Sequence, residues 1–165
     1  MKKTIAFLLV LSLCVGLFAT TVFAANPFTD ISPKDWFYND IISAYDMGLI
    51  NGKTATEYKP NDYLTYAEAV KLAACMNQRY MTGAVTLENG KPQWYQSYVD
   101  YSKGAKIITK DYEWNQPATR AGYMEIFANA LPDDALPAIN EVPDGSIPDV
   151  SMKHPQATAI YKLYR

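Results

Sequence analysis

What most constrains this chain is that much of it is written more than once. When Phe28–Ile50 is shifted by 58 residues, Trp36 falls on Trp94 and Leu49-Ile50 on Ile107-Ile108. Past that point the offset becomes 54, with Tyr58 on Tyr112, Thr65 on Thr119 and Ala67 on Ala121. One four-residue deletion in the middle loop reconciles the copies. A third copy opens at Ile147, where Asp149 matches Asp30 and Ile160 matches Ile41 at an offset of 119. A chain repeated at such a period folds as a series of packed supersecondary units.

Each unit reads as helix, loop, helix. In the first, Asp35 is placed to cap a helix and Gly48 to end it in a left-handed turn, with Ile41, Ile42, Ala44 and Tyr45 forming the apolar face. The loop from Asn51 to Asp62 carries Gly52 and Pro60 and has a turn composition. Thr65 and Glu68 then make a T-x-x-E capping box, and Ala69, Val70, Leu72, Ala73 and Met76 follow at helical spacing. The second unit keeps the plan with altered punctuation. Thr119 caps its second helix, but Gly122 replaces the capping-box glutamate and Lys106 replaces the stop glycine. Tyr123, Phe127, Ala130 and Leu131 form its stripe before Pro132. No substantial sheet is expected.

The organisation read from the chain is a leader at 1–24, units at 25–82 and 83–132, a proline- and acid-rich linker at 133–146, and a third unit at 147–165. The leader has Lys2 and Lys3 before an apolar stretch, then Val22-Phe23-Ala24 as a signal-peptidase site. Its removal leaves 13 basic and 17 acidic residues, a net charge of −4. That balance argues against a nucleic-acid surface, which requires clustered basic residues. Only Cys75 remains of the two cysteines, so no intrachain disulfide is possible, and its apolar helical setting suits a small core residue. The third unit stops inside its first helix and reads as truncated. As a half-unit it lacks the second helix against which its apolar face would be buried.

The order and spacing of these residues resemble S-layer homology domains, the modules that hold exported proteins on bacterial cell walls. The matching residues in unit 1 are Phe28 to Asp30, Trp36-Phe37, Gly48 to Ile50, Gly52, Tyr58, Pro60 and Leu64 to Glu68. Unit 2 matches at Trp94-Tyr95, Ile107-Ile108, Tyr112 and Ala118 to Ala121, and unit 3 at Ile147 to Val150. The resemblance implies a mainly α fold in which three helix–loop–helix repeats pack as a pseudo-trimeric, three-pronged arrangement, the third prong being incomplete here. It implies a non-catalytic module that binds a secondary cell-wall polysaccharide, often an acidic, pyruvylated glycan, or a peptidoglycan-linked glycan. A secreted protein at the bacterial wall or S-layer surface is expected, with no membrane association after leader cleavage. No cofactor or metal is expected, and self-association through the incomplete third repeat is a further expectation.

The family's Thr-Arg-Ala-Glu motif contributes an arginine for the acidic sugar, which maps here to Arg120 after Thr119. A guanidinium can hold a carboxylate through two parallel hydrogen bonds, and a helix start attracts anions. Trp36 and Trp94 are candidates to stack on a sugar face, although rings at such positions also serve as core. Asp30 and Thr65 complete the candidate glycan-binding residues; Asp30, like Asp149, is also suited to a turn or cap. Tyr66 stands where unit 1 should carry the arginine. The alternative for Arg120 is a surface pair with Asp111 or Glu125.

Two other classes compete. For an enzyme, the single His154 lies beside Pro155 without an evident nucleophile, and Asp133, Asp134, Asp144 and Asp149 lack the order of a calcium loop. These repeats could instead be the anchor of a larger secreted, glycan-active enzyme. A helical-repeat scaffold for protein partners shares the paired-helix plan. The leader together with Arg120 favours the wall-anchoring reading.

Overall fold

Five α-helices and one 3-10 turn make up the regular structure of residues 26–165, which the computed structural model describes. The leader expected at 1–24 lies outside the described residues. The helices are α1 (Tyr38–Asp46), α2 (Tyr66–Thr82), α3 (Gln96–Gly104), α4 (Arg120–Ala128) and α5 (Ala157–Tyr164), with the 3-10 turn at Asp133–Ala135. The fold is mainly α, as expected. No strand occurs among the described residues, and Thr65 and Pro117 form an isolated antiparallel bridge. None of the described helices is long and apolar enough to cross a membrane.

The helix register follows the repeat. Tyr38, Gln96 and Ala157, which open α1, α3 and α5, are related by the offsets 58 and 119. Tyr66 and Arg120, which open α2 and α4, are related by the offset 54. Asp35 is not the cap of α1. Its carboxylate accepts the Ser32 N–H at 2.7 Å within a turn, and the helix begins three residues later behind Phe37, which makes no side-chain cap. The two aromatic residues Trp36-Phe37 belong to that turn. Gly48 ends unit 1's first helix at φ +73°, and Lys106 holds the equivalent left-handed position at φ +59°. A lysine there carries a backbone penalty of about 1 kcal/mol that a glycine avoids. The stop is thus imposed by the unit's geometry, with or without its glycine.

Packing joins neighbouring units instead of closing each one on itself. α2 packs on α3, α4 packs on α5, and α2 packs on α4, whereas α1 packs on no other described helix. Each second helix therefore covers the first helix of the unit that follows. For this reason the third half-unit is not bare: Ile160 and Tyr161 of α5 are buried against α4. The expectation that its face would lack a partner fails because the partner comes from unit 2.

The main core gathers Val70, Ala73, Ala74 and Cys75 of α2, Tyr98 and Val99 of α3, Ile107-Ile108, and Ile126 of α4. Alanines at zero exposure allow α2 close approach on two sides. Asn77 ties the three elements together, donating to the Ala130 carbonyl at 2.9 Å and accepting from the Tyr101 hydroxyl at 2.7 Å. A separate small cluster of Phe28, Ile31, Ile41 and Ile42 holds α1 to its own loop.

Candidate functional site

The two second helices start in different ways. At α2 the capping box is complete: Thr65 Oγ1 accepts the Glu68 N–H, and Glu68 Oε2 accepts the Thr65 N–H at 2.9 Å. Glu68 Oε1 is taken by the Lys53 ammonium. Burial by itself would raise the Glu68 carboxyl, but hydrogen bonds from Lys53 and Thr65 outweigh it and hold the group below its ordinary value. The N–H groups of Tyr66 and Ala67 donate to the carbonyls of Gln116 and Trp114 in unit 2's loop, at 3.1 and 2.9 Å. Backbone from the next unit thus occupies the donors with which a helix start would hold an anion.

At α4, Thr119 Oγ1 accepts the Gly122 N–H at 3.1 Å. The Tyr66 hydroxyl reaches the same cap, 3.2 Å from Thr119 Oγ1, and its ring stacks on Tyr112 with centroids 4.7 Å apart. A Cβ added at Gly122 would lie 2.4 Å from the Tyr66 hydroxyl oxygen. Tyr66 in the arginine position of unit 1 and Gly122 in the glutamate position of unit 2 are therefore a matched pair. A larger residue at 122 would collide with the tyrosine.

Arg120, the first residue of α4, is exposed and donates to the Tyr164 hydroxyl of α5 at 2.8 Å. Neither acid considered as its partner takes it. Glu125 pairs with Lys110 at 3.0 Å and Asp111 with Lys103 at 2.7 Å. A neutral phenol leaves the guanidinium charge uncompensated among the described residues.

A groove of about 790 Å³ opens between unit 1's loop, the outer face of α2 and the approach to α3. Tyr58 and Tyr63 line it from the loop, Glu68 and Lys71 from α2, and Asn89 and Trp94 from unit 2. Trp94 is 36% exposed and meets Tyr95 and Tyr98 edge-on. Lys71 Nζ stands 5.4 Å from the Tyr98 ring centre and 5.9 Å from that of Trp94. Burial lowers the Lys71 ammonium below its ordinary value.

The structure thus sorts the residues expected at the site. Thr65 and Thr119 sit near each other as caps, linked through Tyr66, and Arg120 adjoins them at the start of α4. Trp94 lines the groove beside α2. Trp36 stands apart at the approach to α1, 89% exposed, with Phe37 edge-on beside it. Asp30 lies beneath unit 1's loop, accepting the Tyr58 and Lys59 N–H groups at 2.9 and 2.7 Å. These bonds, the Tyr58 contribution foremost, lower its carboxyl. His154 accepts the Gln156 N–H at 3.2 Å ahead of α5. Lys53 and Lys71 were not singled out from sequence. Lys71 interrupts the apolar run of α2 three residues after Glu68, a spacing that reads as an ordinary helix ion pair.

The sequence profile of the S-layer homology domain matches residues 27–70. The chain is 27% identical over 127 residues to the Surface-layer 125 kDa protein of Lysinibacillus sphaericus, covering 70% of this chain and 11% of that protein. It is 26% identical over 113 residues to the Middle cell wall protein of Brevibacillus brevis, covering 68% of this chain and 10% of that protein. The matched region thus spans about a tenth of the length of these relatives. No solved structure matches the chain. With its helix register, its capping box and these matches in agreement, the chain carries an S-layer homology domain at residues 27–70.

Proposed function

We propose that this protein is an exported, non-catalytic anchoring module that binds an acidic, pyruvylated secondary polysaccharide of the bacterial wall. The observation that carries the reading is Arg120. It is an exposed guanidinium at a Thr-capped helix start, engaged by a phenol and by no acid among the described residues. Such a group is available for two parallel hydrogen bonds to a carboxylate. The aromatic groove beside α2 offers ring faces to a sugar. The three-pronged arrangement of helix–loop–helix repeats, its third prong incomplete, belongs to this reading. Units at 25–82, 83–132 and 147–165 are its repeats.

Co-sedimentation of residues 25–165 with purified walls, before and after the secondary polysaccharide is stripped, tests the proposal. Binding should vanish with the polymer. Arg120→Ala should weaken it by roughly tenfold or more, since a charge-assisted hydrogen bond contributes about 1.5–3 kcal/mol. Sedimentation indifferent to both changes would rule the reading out.

A further inference from the structure

The groove between units 1 and 2 contains three lysines, and two of them have partners. Lys53 is bound by Glu68, and Lys59 by Glu57 at 2.7 Å. Lys71 has neither an ion pair nor a hydrogen bond among the described residues, although it is only partly exposed and its neighbours are aromatic rings. Its natural partner would be Glu68, one turn back on the same helix face. That carboxylate is already taken, on one oxygen by Lys53 and on the other by the Thr65 N–H and hydroxyl. The competing lysine from the loop therefore leaves Lys71 without an acid. A desolvated ammonium with three free donors is costly unless something accepts from it. Asp62 on the loop wall is the acidic lining residue outside these pairings.

We propose that Lys71 is the anion-binding residue of this groove, holding the carboxylate of an acidic sugar whose ring lies against Trp94. The proposal rests on the acidic-glycan reading above and gives the groove of unit 1, where Tyr66 replaces the arginine, its own cation from the second turn of α2. Lys71 lines the groove, whereas the start of α2 is closed by the carbonyls of Gln116 and Trp114. Trp94 and Tyr98 position the ammonium by cation–π contact, which leaves its N–H groups free to donate.

The test uses residues 25–165 and two probes, an amino-sugar disaccharide carrying a pyruvate ketal and the same disaccharide without it. The reporter is the Trp94 indole N–H resonance, assigned with Trp94→Phe. The ketal sugar should shift this resonance. Lys71→Gln and Lys71→Met should each weaken that binding by roughly tenfold or more, the scale of one charged hydrogen bond. Lys71→Arg should retain more of the binding than either neutral variant, as the charge is kept. Weak binding of the neutral sugar should be the same in all variants. Lys71→Gln and Lys71→Met binding the ketal sugar as tightly as the natural protein would overturn the proposal, as would a Trp94 resonance that the ketal sugar never moves. Lys71-dependent binding of the ketal sugar by a protein that ignores walls would uphold it while ending the anchoring reading. Polymer-dependent wall binding unchanged by Lys71→Gln would do the reverse.

Discussion

Gly122 shows how one side chain can reverse the meaning of another. In an isolated helix, replacing glycine by alanine stabilises by about 1 kcal/mol. Here the added methyl would meet the Tyr66 hydroxyl at 2.4 Å and a ring carbon at 2.8 Å, and the ring is held by its stack on Tyr112. Gly122→Ala should therefore destabilise the protein by about 1–3 kcal/mol, the usual cost of overpacking. In a Tyr66→Ala background the sign should change, and Gly122→Ala should stabilise. Urea unfolding of the four proteins of this cycle measures the coupling; a Gly122→Ala effect independent of Tyr66 would refute the pairing. Sequence alone presents Tyr66 and Gly122 as two separate departures from a motif, because they stand 56 positions apart in the chain. Only their contact shows that each accounts for the other.

At the scale of the element, the capping box of α2 makes a pH prediction. Glu68 titrates below its ordinary value of 4.5, so its contribution is fully present above that pH and is lost as pH falls through the folded-state value. Stability should be flat in this respect above about pH 5.5 and decline below 4.5. Asp30 and Asp133 are lowered too and act in the same direction, so the comparison must be with Glu68→Gln. That variant should be less stable near neutrality, and the gap to the natural protein should close on acidification. A constant gap across the range would show that the carboxylate's charge plays no part. The start of α2 and this cap were legible in the sequence, since Thr65 and Glu68 act within one turn. The start of α1 was less so. Asp35 has the chemistry of a cap, but its carboxylate is used in the Ser32 turn, a choice the residues leave open.

At the scale of the whole molecule, stability depends on ties between units. Asn77 of α2 holds both the Tyr101 hydroxyl of α3 and the Ala130 carbonyl that follows α4. Asn77→Leu should leave both partners unsatisfied and cost about 2–4 kcal/mol, the lower part of the range of roughly 1–3 kcal/mol for each group, since both bonds are part-buried. Asn77→Leu in a Tyr101→Phe background should recover part of that loss. Chemical denaturation reads both effects, and a single-variant cost below about 0.5 kcal/mol would count against the tie.

The sequence by itself determined the repeat, its offsets, the helical class of each segment and the capping of the second helices. These depend on neighbours within a turn or two, where spacing and residue type suffice. Tertiary structure decided which helix covers which. Periodicity marks an apolar face without naming its partner, so a half-unit that looked bare proves to be buried on the helix of the unit before it. It also decided the charge state of the groove. Whether Lys71 is paired with Glu68 or left for a ligand depends on Lys53 arriving from the loop, and on aromatic rings brought in from unit 2.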